Sequence, residues 1–466
     1  MTGRPMVKKV STAIHWFRND LRLENNPAFA QATRDHDRVA TVVVADQDLL
    51  DRVGPFRRAM WLGNVSSLSE DLASAGGSLT VVTGDPRVQI PALAKEFDAE
   101  AVYVNAATSR FGQNRDRAIE RANVSIVSHW GTLISRPGSV LTKKGTLSKV
   151  FTAFYKTWLA TPLPALPDPG NAELIGRADA ELSTSDWFPD RATLPAESGT
   201  DAAYEALTTW LARVDDYVDT QNLPATDGTS LLSPHLRFGT ISPRAVLDIV
   251  GTGSPGRAAF ARQLAWRDWY GHLLLEFPDM AHRAVRPAYD KIEWNDDPEG
   301  LSAWQQGLTG YPIVDAGMRQ LAQTGWMHNR VRMITGSFLV KDLLIDWREG
   351  ERWFRHLLID ADPPQNAGNW QWVAGTGTDA APYFRVFNPV TQSQNFDPDG
   401  EYISRWVPEL GGLDAKKIHA PWLVPPLELA AAGVILGDTY PAPIVDHSEA
   451  RDRALDAYKE ALTVAD

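Results

Sequence analysis

Short runs of apolar, often β-branched residues recur along the first 135 residues of the chain, and helical patterns lie between them. Strands that alternate with helices in this way are typical of a parallel sheet whose two faces are covered by helices. The N-terminal part is therefore predicted to be a doubly wound, Rossmann-like α/β domain. Its expected strands are Ala13–Phe17, Val39–Ala45, Leu79–Thr83, Ala101–Val104 and Val124–Ser128.

The pattern changes after residue 200, where helical periods replace the β signal. This change predicts an all-α domain over residues 201–466, joined to an α/β domain over residues 1–135. We interpret residues 136–200 as a long connector, because the segment 160–170 contains four prolines and cannot form a regular helix or a central strand. The clearest expected helices are Tyr204–Val218, Pro243–Val250, Gly256–Glu276, Pro312–Gln323 and Met327–Trp347.

The chain of 466 residues contains no cysteine and 17 tryptophans. Disulfides, thiolate nucleophiles and cysteine-ligated metals are thus excluded, and we expect no metal site. No apolar run reaches the ~18 residues of a membrane span, so we expect a cytoplasmic protein without a membrane segment. The net charge of −12 argues against a nucleic-acid partner, but residues 171–220 alone, with eleven acids and three bases, contribute −8 of it. A basic face elsewhere stays compatible with the composition.

Three hydroxyl residues, Thr229, Ser230 and Ser233, stand where a helix is expected to begin. Hydroxyls at this position cap the free N–H groups of a helix, and the same geometry binds a phosphate or pyrophosphate. The residues alone leave both interpretations open. A Gly-x-Gly-x-x-Gly string at residues 251–256 follows a helix and contains Pro255, so we interpret it as a helix-ending loop and not as a dinucleotide fingerprint.

Two further patterns indicate a site in the helical part. Asn329, Arg332 and Met333 are spaced three and four residues apart, so that an amide, a guanidinium and a thioether share one helix face. The segment 360–372 combines acids, amides and indoles with Pro and Gly, and we interpret it as a loop. Loops of this kind on a helical scaffold often carry function, with a structural turn as the alternative.

Six segments then identify the chain as a member of a known family. They are HWFRNDLRLENNPAF (15–29), VFTAFYKTW (150–158), TSLLSPHLRFGTISP (229–243), WRDWY (266–270), TGYPIVDAGMRQLAQTGWMHNRVRMITGSFLVKDLLIDWREGERWF (309–354) and NWQWVAGTGTDAAPYFRVFNP (369–389). They resemble the photolyase/cryptochrome family nearly end to end. The region 309–389 is most similar to bacterial class I enzymes that split cyclobutane pyrimidine dimers in UV-damaged DNA.

The resemblance implies a monomeric, light-driven enzyme with an antenna domain followed by a helical domain that binds FAD non-covalently. The reduced flavin would donate an electron to a pyrimidine dimer flipped out of single- or double-stranded DNA, and the electron would return after the dimer is split. The residues that would hold the flavin phosphates are Tyr217, Thr229, Ser230, Leu231, Leu232 and Ser233. Those expected beside the isoalloxazine are Arg332, paired with Asp360, together with Ala361, Asp362 and Asn366.

The same resemblance implies two roles for the tryptophans. Trp370, Trp347 and Trp294 match, from proximal to distal, three indoles that pass electrons from the surface to the flavin; for each alone, a core aromatic is the alternative. Trp266 and Trp372 match aromatic walls against which the dimer packs. The remaining residues implied in lesion or DNA contact are Gln263, Arg267, Asn329, Arg330, Met333, Arg385 and Gln392, with plain surface solvation as the alternative for the charged ones.

Some positions depart from the family pattern. Gln263 stands where cyclobutane-dimer photolyases generally have Glu, and Gln there is familiar from (6-4) photolyases, which are therefore one alternative. Asn329 and Met333 stand where animal-type (6-4) enzymes have histidines, which disfavours proton transfer by that route. The other alternative is a cryptochrome, a blue-light receptor without repair activity.

The second chromophore is less defined than the flavin. Folate-binding members hold methenyltetrahydrofolate with an Asn-Glu pair and a Lys, whereas the corresponding residues here are Gln113, Asn114 and Ala281. Loss of the carboxylate and the ammonium weakens the folate interpretation. Methenyltetrahydrofolate, a deazaflavin, another chromophore and an empty pocket all stay open.

Overall fold

The structure, a computed structural model, describes residues 10–177, 194–226 and 228–463. Its N-terminal part is built on a parallel sheet of order β3-β2-β1-β4-β5, in which β2 also pairs with a sixth strand. The chain runs outward from β1 to β2 and β3 and then crosses back to β4 on the other side of β1, which makes the gap between β1 and β4 a topological switch point. The strands are β1 (Thr12–Phe17), β2 (Arg38–Ala45), β3 (Thr80–Thr83), β4 (Ala101–Asn105), β5 (Ile126–His129) and β6 (Glu173–Ile175).

The five strands expected from the sequence are all present, with bounds that differ by one or two residues. Both faces of the sheet are covered, and every residue of β1 is buried. Each of the covering helices α1, α4 and α5 begins behind a capping side chain that accepts a backbone N–H, supplied by Asn26, Asp85 and Ser109 respectively. The helices of this part are α1 (Pro27–Asp35), α2 (Gln47–Leu50), α3 (Pro55–Ser74), α4 (Pro86–Glu96) and α5 (Arg110–Glu120).

In its described residues, the segment interpreted as a connector, 136–200, contains the helix α6 (Phe151–Ala160) and the strand β6. The strand was missed because it is three residues long and directly follows the proline-rich stretch. Residues 178–193 lie outside the described residues, and with them part of the predicted connector and of the acidic stretch 171–220.

Helices dominate from residue 200 onwards, as predicted. The helix expected at Pro243–Val250 has those bounds, and the next two in the prediction, found as α11 (Pro255–Glu276) and α13 (Pro312–Thr324), each differ by one residue at one end. No helix of the described ranges is long and apolar enough to cross a membrane. The helices are α7 (Thr200–Leu211), α8 (Tyr217–Thr220), α9 (Ser233–Phe238), α10 (Pro243–Val250), α11 (Pro255–Glu276), α12 (Pro298–Gln306), α13 (Pro312–Thr324), α14 (Asn329–Ser337), α15 (Trp347–Leu357), α16 (Pro363–Ala374), α17 (Pro389–Phe396), α18 (Glu401–Trp406), α19 (Pro426–Ala431) and α20 (His447–Thr463).

Two expected helices are interrupted. The prediction of one helix over Met327–Trp347 was wrong, because α14 passes into a π-helical turn at Phe338–Asp342 and a new helix, α15, begins at Trp347. The side chain of Asp346 caps α15 by accepting the N–H of Arg348 at 2.9 Å, a start signal that the apolar periodicity concealed. The helix expected over Tyr204–Val218 likewise ends with α7 and resumes as α8.

The prediction of a loop over residues 360–372 was also wrong, because most of it forms α16. Its prolines stand in the first turn, where the missing N–H costs nothing, and Gly368 lies against α11. A Cβ at Gly368 would overlap the ring of Tyr270. The glycine therefore serves close packing between two helices, which in turn brings their polar side chains to a common space.

Candidate active site

A cavity of about 500 Å³ opens in the helical part. It is formed by side chains of α8, α9, α11, α14 and α16 and by the segment before α16. The structure thus brings together most of the residues singled out from the sequence for flavin and lesion binding. Those that line the cavity are Tyr217, Thr229, Ser230, Leu231, Leu232, Ser233, Gln263, Trp266, Arg267, Asn329, Arg332, Met333, Asp360, Ala361, Asp362, Asn366, Trp370 and Trp372.

The expected pair of Arg332 and Asp360 is present on one wall. It is bidentate, with Nη1 to Oδ1 at 3.1 Å and Nη2 to Oδ2 at 2.9 Å. The third donor, Nε, binds the carbonyl of Met327 at 2.7 Å. Because all three nitrogens of the Arg332 guanidinium are hydrogen-bonded, its orientation is fixed. The charge of Arg332 therefore lies at a defined position on this wall.

The hydroxyl segment lies on another wall, where α9 begins. The N-cap position of this helix is Leu232, which has no capping side chain, so neither Thr229 nor Ser233 acts as the N-cap. Ser230 Oγ accepts a hydrogen bond from the N–H of Leu232 at 3.3 Å, and Leu231 has a positive φ of 51°. The hydroxyls therefore lie in a turn along the cavity, where they are available to a ligand.

The orientation of Asn366 is set by a residue that the sequence analysis missed. Asn366 is 7% exposed, and its Nδ2 donates both to the backbone carbonyl of Glu351 and to Oε1 of that side chain, each at 2.9 Å. Burial raises the pKa of Glu351, while Arg355 and Asn366 act to lower it. With both donors directed at Glu351, the amide oxygen is the group left for the cavity.

The helix α11 supplies Gln263, Trp266 and Arg267 to the cavity. The indole of Trp266 stacks on the ring of Phe151, with centroids 3.6 Å apart and an interplanar angle of 11°. Phe151 belongs to α6, within the segment interpreted as a connector. This residue was missed as a support of the site because only the tertiary contact connects it with α11.

The three indoles of the expected electron path differ in burial. Trp370 lines the cavity, Trp347 is fully buried, and Trp294 is partly exposed. A Cβ at Gly350 would overlap the Trp370 ring, and Gly350 is one turn after Trp347 on α15. Asn295 binds the carbonyls of Leu343 and Leu344, each at 2.8 Å, which holds the segment after Trp294 close to the start of α15. The three indoles thus occupy neighbouring segments between cavity and surface.

The remaining residues predicted to contact DNA differ in their solvent exposure and in their hydrogen bonds within the protein. Arg267 donates to the carbonyls of Thr132 and Leu236, at 2.5 and 3.0 Å, so its guanidinium is engaged within the protein. Arg330 binds Asn222 Oδ1 at 2.8 Å. Arg385 is exposed and Gln392 is partly exposed, and neither lines the cavity. Their contact with DNA stays a prediction.

A second cavity, of about 310 Å³, lies at the carboxyl ends of β1, β2 and β4. Ligands of doubly wound sheets bind at this place, beside the switch point. Aromatic residues of its lining include Trp16, Trp61 and Phe111. The residues at the folate positions, Gln113, Asn114 and Ala281, line neither cavity.

Comparison with known proteins agrees with this architecture. Residues 13–170 match the family described as DNA photolyase, and residues 260–460 match the FAD binding domain of DNA photolyase. A deoxyribodipyrimidine photo-lyase of Agrobacterium fabrum is 40% identical over 97% of this chain and 98% of its own. The chain therefore belongs to the photolyase/cryptochrome family.

Solved structures extend the similarity to the whole fold. A bacterial class III photolyase from Agrobacterium tumefaciens covers 99% of both chains with a TM-score of 0.91 and 38% identity. A cryptochrome of Synechocystis covers 98% of this chain and 100% of its own, with a TM-score of 0.88 and 30% identity. An archaeal photolyase from Sulfolobus tokodaii, described with two FAD molecules, covers 96% of this chain and 100% of its own, with a TM-score of 0.85 and 31% identity. The assignment to class I stays a prediction.

Proposed function

We propose that this protein is a deoxyribodipyrimidine photolyase, which splits cyclobutane pyrimidine dimers in UV-damaged DNA under blue light. One observation carries the proposal: the residues expected to bind the flavin and most of those expected to contact the lesion line the same cavity. Family members named for this activity, at 40% identity over nearly the whole chain, support it.

The residues present fit FAD. The cavity volume of about 500 Å³ is within the range of cofactor sites, and its walls combine aromatic side chains with a few fixed polar groups. The hydroxyls of Thr229, Ser230 and Ser233 stand at the start of α9 and suit the phosphates of FAD. The Arg332–Asp360 pair and the amide oxygen of Asn366 suit the polar edge of the isoalloxazine. When bound and reduced, FAD supplies an electron to the dimer upon absorbing light.

The chain's own residues would then bind and orient the lesion. Trp266, rigid against Phe151, and Trp372 offer aromatic surfaces to a flipped dimer. Gln263 would donate to a pyrimidine carbonyl or accept from a pyrimidine N–H, but it holds no transferable carboxylic proton. Trp370, Trp347 and Trp294 would carry electrons from the surface toward the flavin site.

We further propose that the cavity beside the switch point holds a second, light-harvesting chromophore. Its aromatic lining suits a planar ring system, and its position at the carboxyl ends of the strands suits a deazaflavin or flavin better than a folate at residues 113, 114 and 281. In this division, residues 1–135 are the antenna domain, 136–200 the connector and 201–466 the catalytic domain of a cytoplasmic monomer.

The test is illumination of the purified, reduced protein with an oligonucleotide that carries a single cyclobutane thymine dimer. We expect restoration of the adjacent thymines under blue light and none in the dark. A parallel oligonucleotide with a (6-4) product distinguishes that alternative. Stoichiometric FAD without repair of either lesion would contradict the proposal and favour a cryptochrome.

A further inference from the structure

The two cavities share part of their walls. Arg237, Arg267 and Asp362 line both the large cavity and the one beside the switch point. A ligand in either cavity therefore faces some of the same charged side chains. Binding at one of two sites with a common wall changes the ligand affinity of the other when the shared side chains adopt a conformation that both ligands favour.

One arginine of the N-terminal part reaches across this wall. Arg57, on α3, lines the smaller cavity and is 6% exposed. Its Nη1 donates to the backbone carbonyl of Ala361 at 3.2 Å, and the same oxygen accepts Nε of Arg237 at 2.7 Å. Ala361 itself lines the large cavity, between Asp360 and Asp362. A side chain from the α/β part thus fixes the backbone at the polar edge of the flavin site.

The wall carries more positive charge than it neutralises internally. The lining of the smaller cavity contains five arginines, Arg18, Arg57, Arg115, Arg237 and Arg267, and three aspartates, Asp20, Asp46 and Asp362, of which Asp362 is 3.9 Å from Arg267. The pKa of Arg57 is lowered to about 9, mainly by burial and in smaller part by the charges of Arg237 and Arg355. Asp360 and Glu351 act in the opposite direction but belong to other ion pairs or hydrogen bonds.

Two donors on this wall have no partner within the part of the chain that the structure describes. Arg57 Nε and Arg237 Nη1 are buried nitrogens without a hydrogen-bond acceptor. Buried donors are nearly always paired, and an unpaired one of a charged group is costly. Because Arg57 and Arg237 both line the smaller cavity, an anionic group bound there would offset their charge, and a small shift of either side chain would bring its unpaired nitrogen to the anion.

We propose that Arg57 is a positioning residue of the flavin site that couples this site to the smaller cavity, whose ligand is a planar aromatic compound bearing a phosphate or another anionic group. The anion binds Arg57 and Arg237, which strengthens their hold on the Ala361 carbonyl and so stabilises the flavin edge. Because coupling between binding sites is reciprocal, each ligand raises the affinity for the other by the same factor. The inference rests on the proposed function only in that the large cavity binds FAD.

The first experiment measures the rate of FAD release from the FAD-loaded full chain after dilution. Arg57→Gln removes the bond to Ala361 and the charge, and we expect release about tenfold faster, a factor typical of coupled sites. Arg58→Gln is the matched control, since this adjacent arginine donates to Val53 and not to Ala361. Equal release rates for wild type and R57Q would overturn the proposal.

Arg57→Lys serves if the glutamine variant does not fold, because it keeps the charge but cannot bind Ala361 and an anion through one planar fork. A folded R57K protein whose FAD release responds to FMN as the wild type does, in the second experiment below, would contradict coupling through this fork. The midpoint potential of the bound flavin is a second readout. A purely structural loss would lower thermal stability without shifting this potential, whereas a displaced Asp360–Asp362 edge shifts it.

The second experiment uses FMN and riboflavin as probes of the smaller cavity in the FAD-loaded protein, with released FAD separated chromatographically. We expect FMN, which carries the phosphate, to slow FAD release about tenfold in wild type and not in R57Q. Riboflavin is expected to have little effect. If FMN leaves FAD release unchanged in wild type, the proposed coupling is wrong.

Failure of the proposed function is recognised separately. Dimer repair is assayed on the same preparations with excess FAD. A wild-type protein that retains FAD but repairs no lesion contradicts the photolyase activity, while the release rates still decide the role of Arg57.

Discussion

At the scale of single residues, the cavity shows how neighbours define the function of a side chain. Asn366 was expected at the flavin from its place in the sequence, but its orientation depends on Glu351, which holds both of its donors. When FAD is bound as proposed, the amide oxygen that remains would accept a hydrogen bond from the N5–H group of the reduced flavin. A polar residue of this type acts through the direction of its dipole, which a buried partner fixes.

Glu351→Gln tests this orientation. The new amide can donate or accept at either end, so Asn366 is no longer held with its oxygen toward the cavity. We expect FAD binding to persist and the midpoint potential of the bound flavin to fall, because the reduced form loses an acceptor. The control is Glu349→Gln on the same helix, whose carboxylate pairs with Arg352 at the surface. An unchanged potential in E351Q would show that Glu351 does not orient the amide.

Trp370→Phe tests the first member of the indole path. The phenyl ring fills most of the space but is much harder to oxidise, so we expect several-fold slower light-driven reduction of oxidised, bound FAD. Trp353→Phe provides the control, since this indole is also partly buried in the same apolar cluster and is outside the path. Transient absorption after a light pulse gives the rates. Equal rates in W370F and wild type would remove Trp370 from the path.

At the scale of elements, the interruption between α14 and α15 places a charged residue in the core. Lys341 lies in the π-helical turn and is 1% exposed. Its Nζ is 3.4 Å from the centroid of the Tyr458 ring and near the carbonyls of Ala374 and Tyr383, at 3.5 and 3.4 Å. Burial lowers the pKa of Lys341 to about 7. The turn thus ties α14 to the C-terminal helix α20 through one ammonium group.

Lys341→Met is expected to remove a pH dependence of stability. Between pH 7 and about 10 the unfolded chain, with an ordinary lysine pKa of 10.5, binds more protons than the folded one. The wild-type free energy of unfolding therefore rises with pH, by up to about 1.4 kcal/mol per pH unit from this group. Urea unfolding of both proteins at several pH values measures the difference. Lys417→Met, an exposed change, should not alter the slope, and a K341M slope like that of wild type would contradict the assignment.

At the scale of the whole molecule, buried polar contacts join the α/β part to the helical part. Asp268 of α11 is fully buried and accepts the backbone N–H groups of Ile134 and Ser135, at 2.8 and 2.7 Å. It also accepts Nε1 of Trp158 from α6 at 3.0 Å. One carboxylate thereby fixes the chain that leaves the sheet and the helix that supports Trp266 through Phe151.

Asp268→Ala is expected to destabilise the protein by about 3 kcal/mol or more, because several buried donors lose their acceptor. The comparison is Asp279→Ala, which breaks an exposed pair with Arg110 between the same two parts and should cost less than about 1 kcal/mol. Thermal or urea unfolding gives both values. A loss in D268A no larger than in D279A would show that the buried contact does not join the two parts.

The sequence by itself determined the fold class, the positions of the five strands along the chain and the identity of most residues around the large cavity. Alternating apolar runs and helix periodicity are local signals. They can be recognised in one sequence because each strand or helix must bury an apolar face of its own. The motifs also carried the family resemblance, since residues such as Arg332 and Asp360 occupy specific positions within long matching segments.

Only the tertiary structure decided how these residues act. The orientation of Asn366 by Glu351, the support of Trp266 by Phe151 and the contact of Arg57 with Ala361 join residues that are distant in the chain or belong to different elements. Contacts of this kind depend on the relative placement of packed helices, which small residues such as Gly368 permit by close approach. Local periodicity holds no information about that placement, because it is set by the packing of the whole molecule.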